Sequence, residues 1–245
     1  MKSNVYFFNL LKFVSCLILA AALFFPTPGS VVKAASSITL RSTTTGTNGT
    51  GATSLVLTTP AGTQLGDVLI AQVVVNSAST VITTPPGWTL ILTTKTSSVF
   101  EQATYYKAAT ASEPASTSWT FGASQPATGG IAGFIGVNTA SPIDGSSGKF
   151  NANTAPATFT QITTSVPNDM LLAFVGVGGN TTVTPPSGFT EDYDVKDTAA
   201  GNGRTAEMSQ SLKATTGLTA VGTGKEDTLT VSNLTQLIAL KAAGN

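Results

Sequence analysis

The chain has 245 residues, with 12 basic and 12 acidic side chains, one cysteine and no histidine. That cysteine, Cys16, lies in an N-terminal leader; without the leader neither residue type remains, which excludes zinc sites built on nitrogen and sulfur, Ser-His-Asp and Cys-His catalysis, and any disulfide framework. Nine basic residues then stand against twelve acidic ones, with arginine only at 41 and 204, so the clustered cations that bind phosphate are missing and nucleic acid is not an expected partner.

Residues 1–34 read as a signal peptide. Lys2 provides the charged start, an apolar run from Phe13 to Phe25 ends at Pro26, and Val32 and Ala34 are the small residues before the cleavage point. A retained anchor would need ~20 uninterrupted apolar residues. Cys16 lacks a leucine three positions upstream and sits inside the run, so it does not read as a lipoprotein box. The mature chain is expected to be secreted and to sit at the cell surface, with no membrane segment after cleavage.

Residues 35–53 are expected to hold a short N-terminal strand carrying Ile38 and Leu40, then a flexible Thr-, Gly- and Asn-rich segment over 43–53. From 54 to 245 the chain reads as one β domain. Gly and Pro recur about every ten residues, and no stretch has helical spacing of apolar positions. Strands are predicted over 68–75, 89–94, 103–108, 117–121, 131–137, 170–177, 206–214, 228–231 and 236–240. The segment 68–75, Val-Leu-Ile-Ala-Gln-Val-Val-Val, is apolar on both faces, as a central buried strand should be.

An internal repeat organises these strands. The run from Gly66 to Val75 matches Asn168 to Val177, with identity at Asp67 and Asp169 and then at every second position, one face of a strand. Ile82 to Thr89 parallels Val183 to Thr190, placing Trp88 and Phe189 after proline-rich turns. Tyr105 to Thr110 parallels Ser211 to Thr216. Trp119-Thr120-Phe121 followed by 131–134 parallels Thr228-Leu229-Thr230 followed by 237–240. The expected fold is an all-β antiparallel sandwich or jelly-roll-like domain of two pseudo-repeated halves, about 54–140 and 155–245, with 141–148 as the crossing loop. Two separate beads are the alternative organisation.

Site candidates are few. Trp88, Tyr106 and Trp119 are the aromatics that would stack on sugar rings, although a packing role explains the recurring aromatic after each turn. Asp192, Asp194 and Asp197 belong to the sole acidic cluster and are the candidates for a calcium ion, against a solvated loop; no other cofactor is expected. Glu101, Glu113, Glu191 and Glu207 are the carboxylates a glycosidase would draw on, with no spacing to select a pair. The sequons at Asn48, Asn180 and Asn233 are expected by chance in a Thr-rich chain.

The segments 60–71, 85–91, 105–109 with Glu113-Pro114-Ala115, 119–121, 129–131 and Ser141-Pro142-Ile143-Asp144 together resemble a β-sandwich repeat module of bacterial secreted and cell-surface proteins. The resemblance implies location and architecture, with no assigned activity. The expected function is an extracellular structural or adhesive protein and not an enzyme. It would be a fibre subunit if the strand with Ile38 and Leu40 adds to a neighbouring copy, so that its partner is itself. A carbohydrate-binding module with a surface glycan as partner is the second reading, and a glycoside hydrolase the third.

Overall fold

A computed structural model describes residues 37–154, 156–197, 203–227 and 231–244. The leader 1–34 and most of the strand expected at 228–231 lie outside the described residues. The described chain is all β. Its first half runs β1 (Thr39–Thr47), β2 (Ala52–Thr58), β3 (Val68–Val75), β4 (Ile82–Thr83), β5 (Thr89–Lys95), β6 (Glu101–Ala108), β7 (Ser116–Gln125) and β8 (Ala127–Ile135). The second runs β9 (Ile143–Asn151), β10 (Pro156–Ala157), β11 (Thr163–Thr164), β12 (Asp169–Val177), β13 (Val183–Thr184), β14 (Thr190–Lys196), β15 (Thr205–Lys213), β16 (Gly217–Leu218), β17 (Gly224–Glu226) and β18 (Asn233–Leu240).

The strand orders show the duplication. One main sheet is β1-β8-β3-β6-β5, and the other, read from the equivalent edge, is β9-β18-β12-β15-β14. The small sheet β2-β7-β4 has its counterpart in β10-β17-β13, and the pair β11-β16 forms a separate two-stranded sheet. All ladders are antiparallel. Four layers result, because each main sheet is covered on one side by its own small sheet and on the other by the opposite main sheet.

Strand β3 explains the layering. Leu69, Ala71, Val73 and Val75 pack outward with Leu55, Leu57, Trp119 and Phe121 of the small sheet. Val68 and Ile70 pack inward with Met170, Leu172 and Phe174 of β12. All eight residues of β3 and all nine of β12 are buried, and each Val, Leu or Ile there contributes about 1.5–3 kcal/mol. The two halves share this inner core. Edge β1 packs beside β14, and edge β5 beside β9; exchanging the halves maps the first contact onto the second, so a pseudo-twofold axis relates them.

The inner face also holds polar groups. Gln72 on β3 donates to Gln102 Oε1 at 3.1 Å and to the Val175 carbonyl at 3.3 Å, and accepts from Tyr193 Oη at 3.1 Å. Gln236 on β18 donates to Thr94 Oγ1 at 3.0 Å and to the Gln102 carbonyl at 3.1 Å. Glycines make room for these crossings. A Cβ on Gly130 would lie 2.7 Å from Tyr193 Cζ, one on Gly148 would overlap Thr94, and one on Gly176 would overlap Gln102.

Several sequence expectations are corrected. Residues 43–53 are not a flexible segment. Threonines continue β1 to Thr47, and β2 begins at Ala52. The turn between them is clamped by Asn48, which donates to the carbonyls of Ser54 and Gln125 and accepts from Ala127 N–H. Residues 143–148 are not a crossing loop but the start of edge strand β9, paired to β18; its Ser and Gly content, which reads as a turn, suits an edge pressed against β5. The match of 105–110 with 211–216 is two residues out of register. Val68 faces Ala108 and its counterpart Met170 faces Leu212, so Ala108 is equivalent to Leu212 and not to Ala214. A two-residue slip keeps every side chain on its face, which is why periodicity did not expose it. The ladders β4-β7 and β13-β17 likewise make Gly224-Lys225-Glu226 the counterpart of Trp119-Thr120-Phe121. Positions 131–134 and 237–240 do match in register, through Ala71 and Ala173.

Gly130→Ala should cost about 2–3 kcal/mol by overpacking against Tyr193 and the Thr44 carbonyl. Gly222→Ala, whose nearest neighbour would lie at 3.5 Å, should change stability by no more than about 0.5 kcal/mol. Urea midpoints of the two variants check the contrast.

Candidate functional site

The turns that precede Trp88 and Phe189 are built alike. Pro86 and Gly87, the latter at φ 80°, occupy the centre of a type II turn closed by Trp88 N–H on the Pro85 carbonyl, and Gly188 at φ 84° does the same before Phe189. The turn delivers Trp88 into the outer core of the first half, where it meets Trp119 edge to face at 5.2 Å. Trp119 is wholly enclosed and also tilts against Tyr105 at 5.9 Å. This corrects the sugar-stacking expectation for Trp88 and Trp119, because neither ring presents a face to solvent. Tyr106, on the opposite side of β6, is half-buried against the shared inner core.

The acidic cluster is a strand and not a loop. Glu191 to Lys196 form β14, paired to β15 with a bulge at Asp192. Asp192 accepts from Gln210 Nε2 at 2.8 Å, and Asp194 accepts from Val183 N–H at 2.9 Å. Asp197 is buried beyond the end of the strand, its N–H bonded to the Arg204 carbonyl. Among the described residues no three acidic side chains converge as a cation site would require. Burial pushes the Asp192 carboxyl up to about 7, with Glu191 adding and the Gln210 bond opposing. On the neighbouring strand, burial and then the charges of Glu191, Asp194 and Asp192 push Glu207 well above the carboxylate range.

The other nominated carboxylates lie in the first half. Glu101 is enclosed and meets Lys95 at 2.5 Å, and burial raises it. Glu113 meets Lys107 at 2.6 Å and caps the Thr110 N–H. Ile38 is buried in the inner core and Leu40 packs against it, on a strand paired with β8 from Thr39 to Thr47.

A further group of titratable side chains surrounds the edge bulges. Each half carries a bulge at the equivalent edge position, Arg41 on β1 and Asp144 on β9. Each bulge side chain turns toward the repeated aspartate at the head of the central strand. In the first half the result is an ion pair: Arg41 Nε and Nη2 donate to Asp67 at 2.5 and 2.9 Å. In the second half Asp144 meets Asp169, two carboxyls side by side, and Lys241 Nζ lies 3.5 Å from Asp144 Oδ1. The Ser165 N–H and hydroxyl both donate to Asp144. Burial raises Asp144, but the Ser165 donors, Asp169 and Lys241 outweigh it and hold the group down at about 2. Asp169 goes the other way, to about 7, driven first by burial and then by Asp144. Two coupled carboxyls with values so far apart hold one proton between them over the interval. The recurring Asp67 and Asp169 were the available sequence signal; the bulge partners were hidden because 141–148 reads as a turn.

No family model, no curated protein and no solved structure matches the chain.

Stability should depend on the raised carboxyls. Asp192 titrates near 3.9 when unfolded and at about 7 when folded, so the folded state holds its proton more tightly. Its contribution is complete below about pH 4 and is lost as pH rises to about 7. Asp192→Asn should flatten the fall in urea midpoint across that window, while an unchanged slope would remove Asp192 as a source.

Proposed function

We propose that this chain is a secreted structural or adhesive protein of the cell exterior that assembles with copies of itself by exchange of its N-terminal strand. The observation that supports this reading is the placement of β1. It is the outermost strand of its sheet, bonded along one side to β8, and it directly follows the segment that reads as a cleaved leader. Leu40 on the strand and Ile38 just before it insert into the inner core between the two main sheets. A strand of this kind can leave β8 of its own chain and occupy β8 of a neighbour with the same register, so the exchanged and closed forms share nearly all contacts. The layered body suits a mechanical role, since both halves are held by one continuous inner core.

The test uses the absence of cysteine after the leader. Thr43 on β1 faces Ala132 on β8, so Thr43→Cys with Ala132→Cys places two thiols in register. Exchange between copies gives a ladder of covalent oligomers on a non-reducing gel. A product made only of monomers, oxidised within each chain, overturns strand exchange.

A further inference from the structure

The Asp144, Asp169 and Lys241 group is unusual for a structural ion pair. The Asp144 and Lys241 side chains are 3% and 19% exposed, and Asp169 is fully buried, with neither carboxyl oxygen in a hydrogen bond of ordinary geometry. The groups acting on Asp169 are the Asp144 carboxyl, the Lys241 ammonium and the Ala242 N–H. A buried carboxyl left unsatisfied calls for an explanation, here as at Glu207 on β15 of the same sheet. The first half shows the alternative: the equivalent positions there hold an Arg41–Asp67 pair, bidentate and unable to react further.

We propose that Lys241 and Asp144 react to form a side-chain amide, an intramolecular cross-link between the end of β18 and the edge strand β9, with Asp169 carrying the proton. Two paired strands hold Lys241 Nζ 3.5 Å from Asp144 Oδ1, beside the carbon it would attack, and the reaction is unimolecular. Condensation to a neutral amide removes two charges from a poorly hydrated site, where holding them is costly. Asp169, which holds the shared proton, delivers it to Asp144 and takes one from the Lys241 ammonium in its place. The freed Nζ lone pair attacks Asp144 Cγ; the Ser165 N–H, on Oδ2, holds the developing oxyanion, while the Ser165 hydroxyl bonds Oδ1, the oxygen that departs. Collapse breaks one Cγ–O bond. The departing oxygen leaves as water with the proton delivered by Asp169 and the second nitrogen proton. The products are one amide and one water, no oxidant or cofactor is needed, and Asp169 is regenerated in its starting state.

The location gives the bond a purpose. Lys241 N–H is bonded to the Pro142 carbonyl and Asn138 N–H to the Lys241 carbonyl, so β9 and β18 already meet here through backbone bonds that tension separates one at a time. A covalent link would stop β9 from peeling off the second main sheet. Edge β1, its counterpart in the first half, carries Arg41 and stays free to exchange. This last contrast rests on the proposed strand exchange; the cross-link itself does not.

Intact-mass spectrometry of the purified chain decides the matter. Wild type should be one water lighter than its sequence mass, and Lys241→Arg from the same preparation should regain that water in addition to the residue change. Peptide mapping should show the segments containing Asp144 and Lys241 travelling as one branched species. Asp169→Asn keeps both reactants and should show mostly the uncondensed mass. A wild-type chain of full sequence mass, or a link mapped to other residues, overturns the proposal, and neither result bears on strand exchange.

Discussion

The face-to-face contact of the two main sheets is the constraint on which the rest of the structure depends. Each sheet is apolar on both sides, so neither is stable in water without two covers. The small sheet of its own half supplies one and the opposite half the other. The glycines at 130, 148 and 176 let Tyr193, Thr94 and Gln102 reach across, and the amides of Gln72 and Gln236 find partners only when the sheets meet in this register. An apolar contact alone would tolerate sliding. Enclosed amides do not, because a shift strands them without partners at a cost of about 1–3 kcal/mol each.

Much of this was legible in the sequence. The apolar runs of β3, interrupted only by Gln72, and of β12 after Asp169 announced strands buried on both sides, and their matching residues announced the duplication. What stayed hidden has identifiable causes. Strands β1 and β9 are rich in Thr, Ser and Gly, residues that serve turns equally well, and only pairing with β8 and β18 makes them strands. The charges of β14 masked its alternation. Asn48 and Asn151 perform the same clamp at the ends of β1 and β9, since Asn151 also donates to a carbonyl of the following segment, that of Thr158, and to Asn233, but a repeated lone asparagine carries no periodic signal. Among the site candidates, Trp88 fills the packing role that an aromatic recurring after each turn suggests, while the burial of Trp119 depends on a facing layer that residue type alone does not reveal.

The two halves also show how one backbone position accommodates different chemistry. The bulges at 41 and 144 each aim a side chain at a buried aspartate. Arginine there closes a simple charge pair. Aspartate creates a shortage of positive charge, and Lys241, following the last strand, moves in beside it. Burial makes such substitutions expensive unless a neighbour changes too, so the pair 144 and 241 has to be regarded as one unit.

Duplication also sets the direction of the molecule. Three acidic residues accompany three basic ones over 35–140, whereas nine accompany six over 141–245. The backbone is nearly twofold symmetric, but its electric field is not. With truly identical halves, the two flanks would be interchangeable to any approaching neighbour. With one flank neutral and the other negative, a row of such units has a head and a tail.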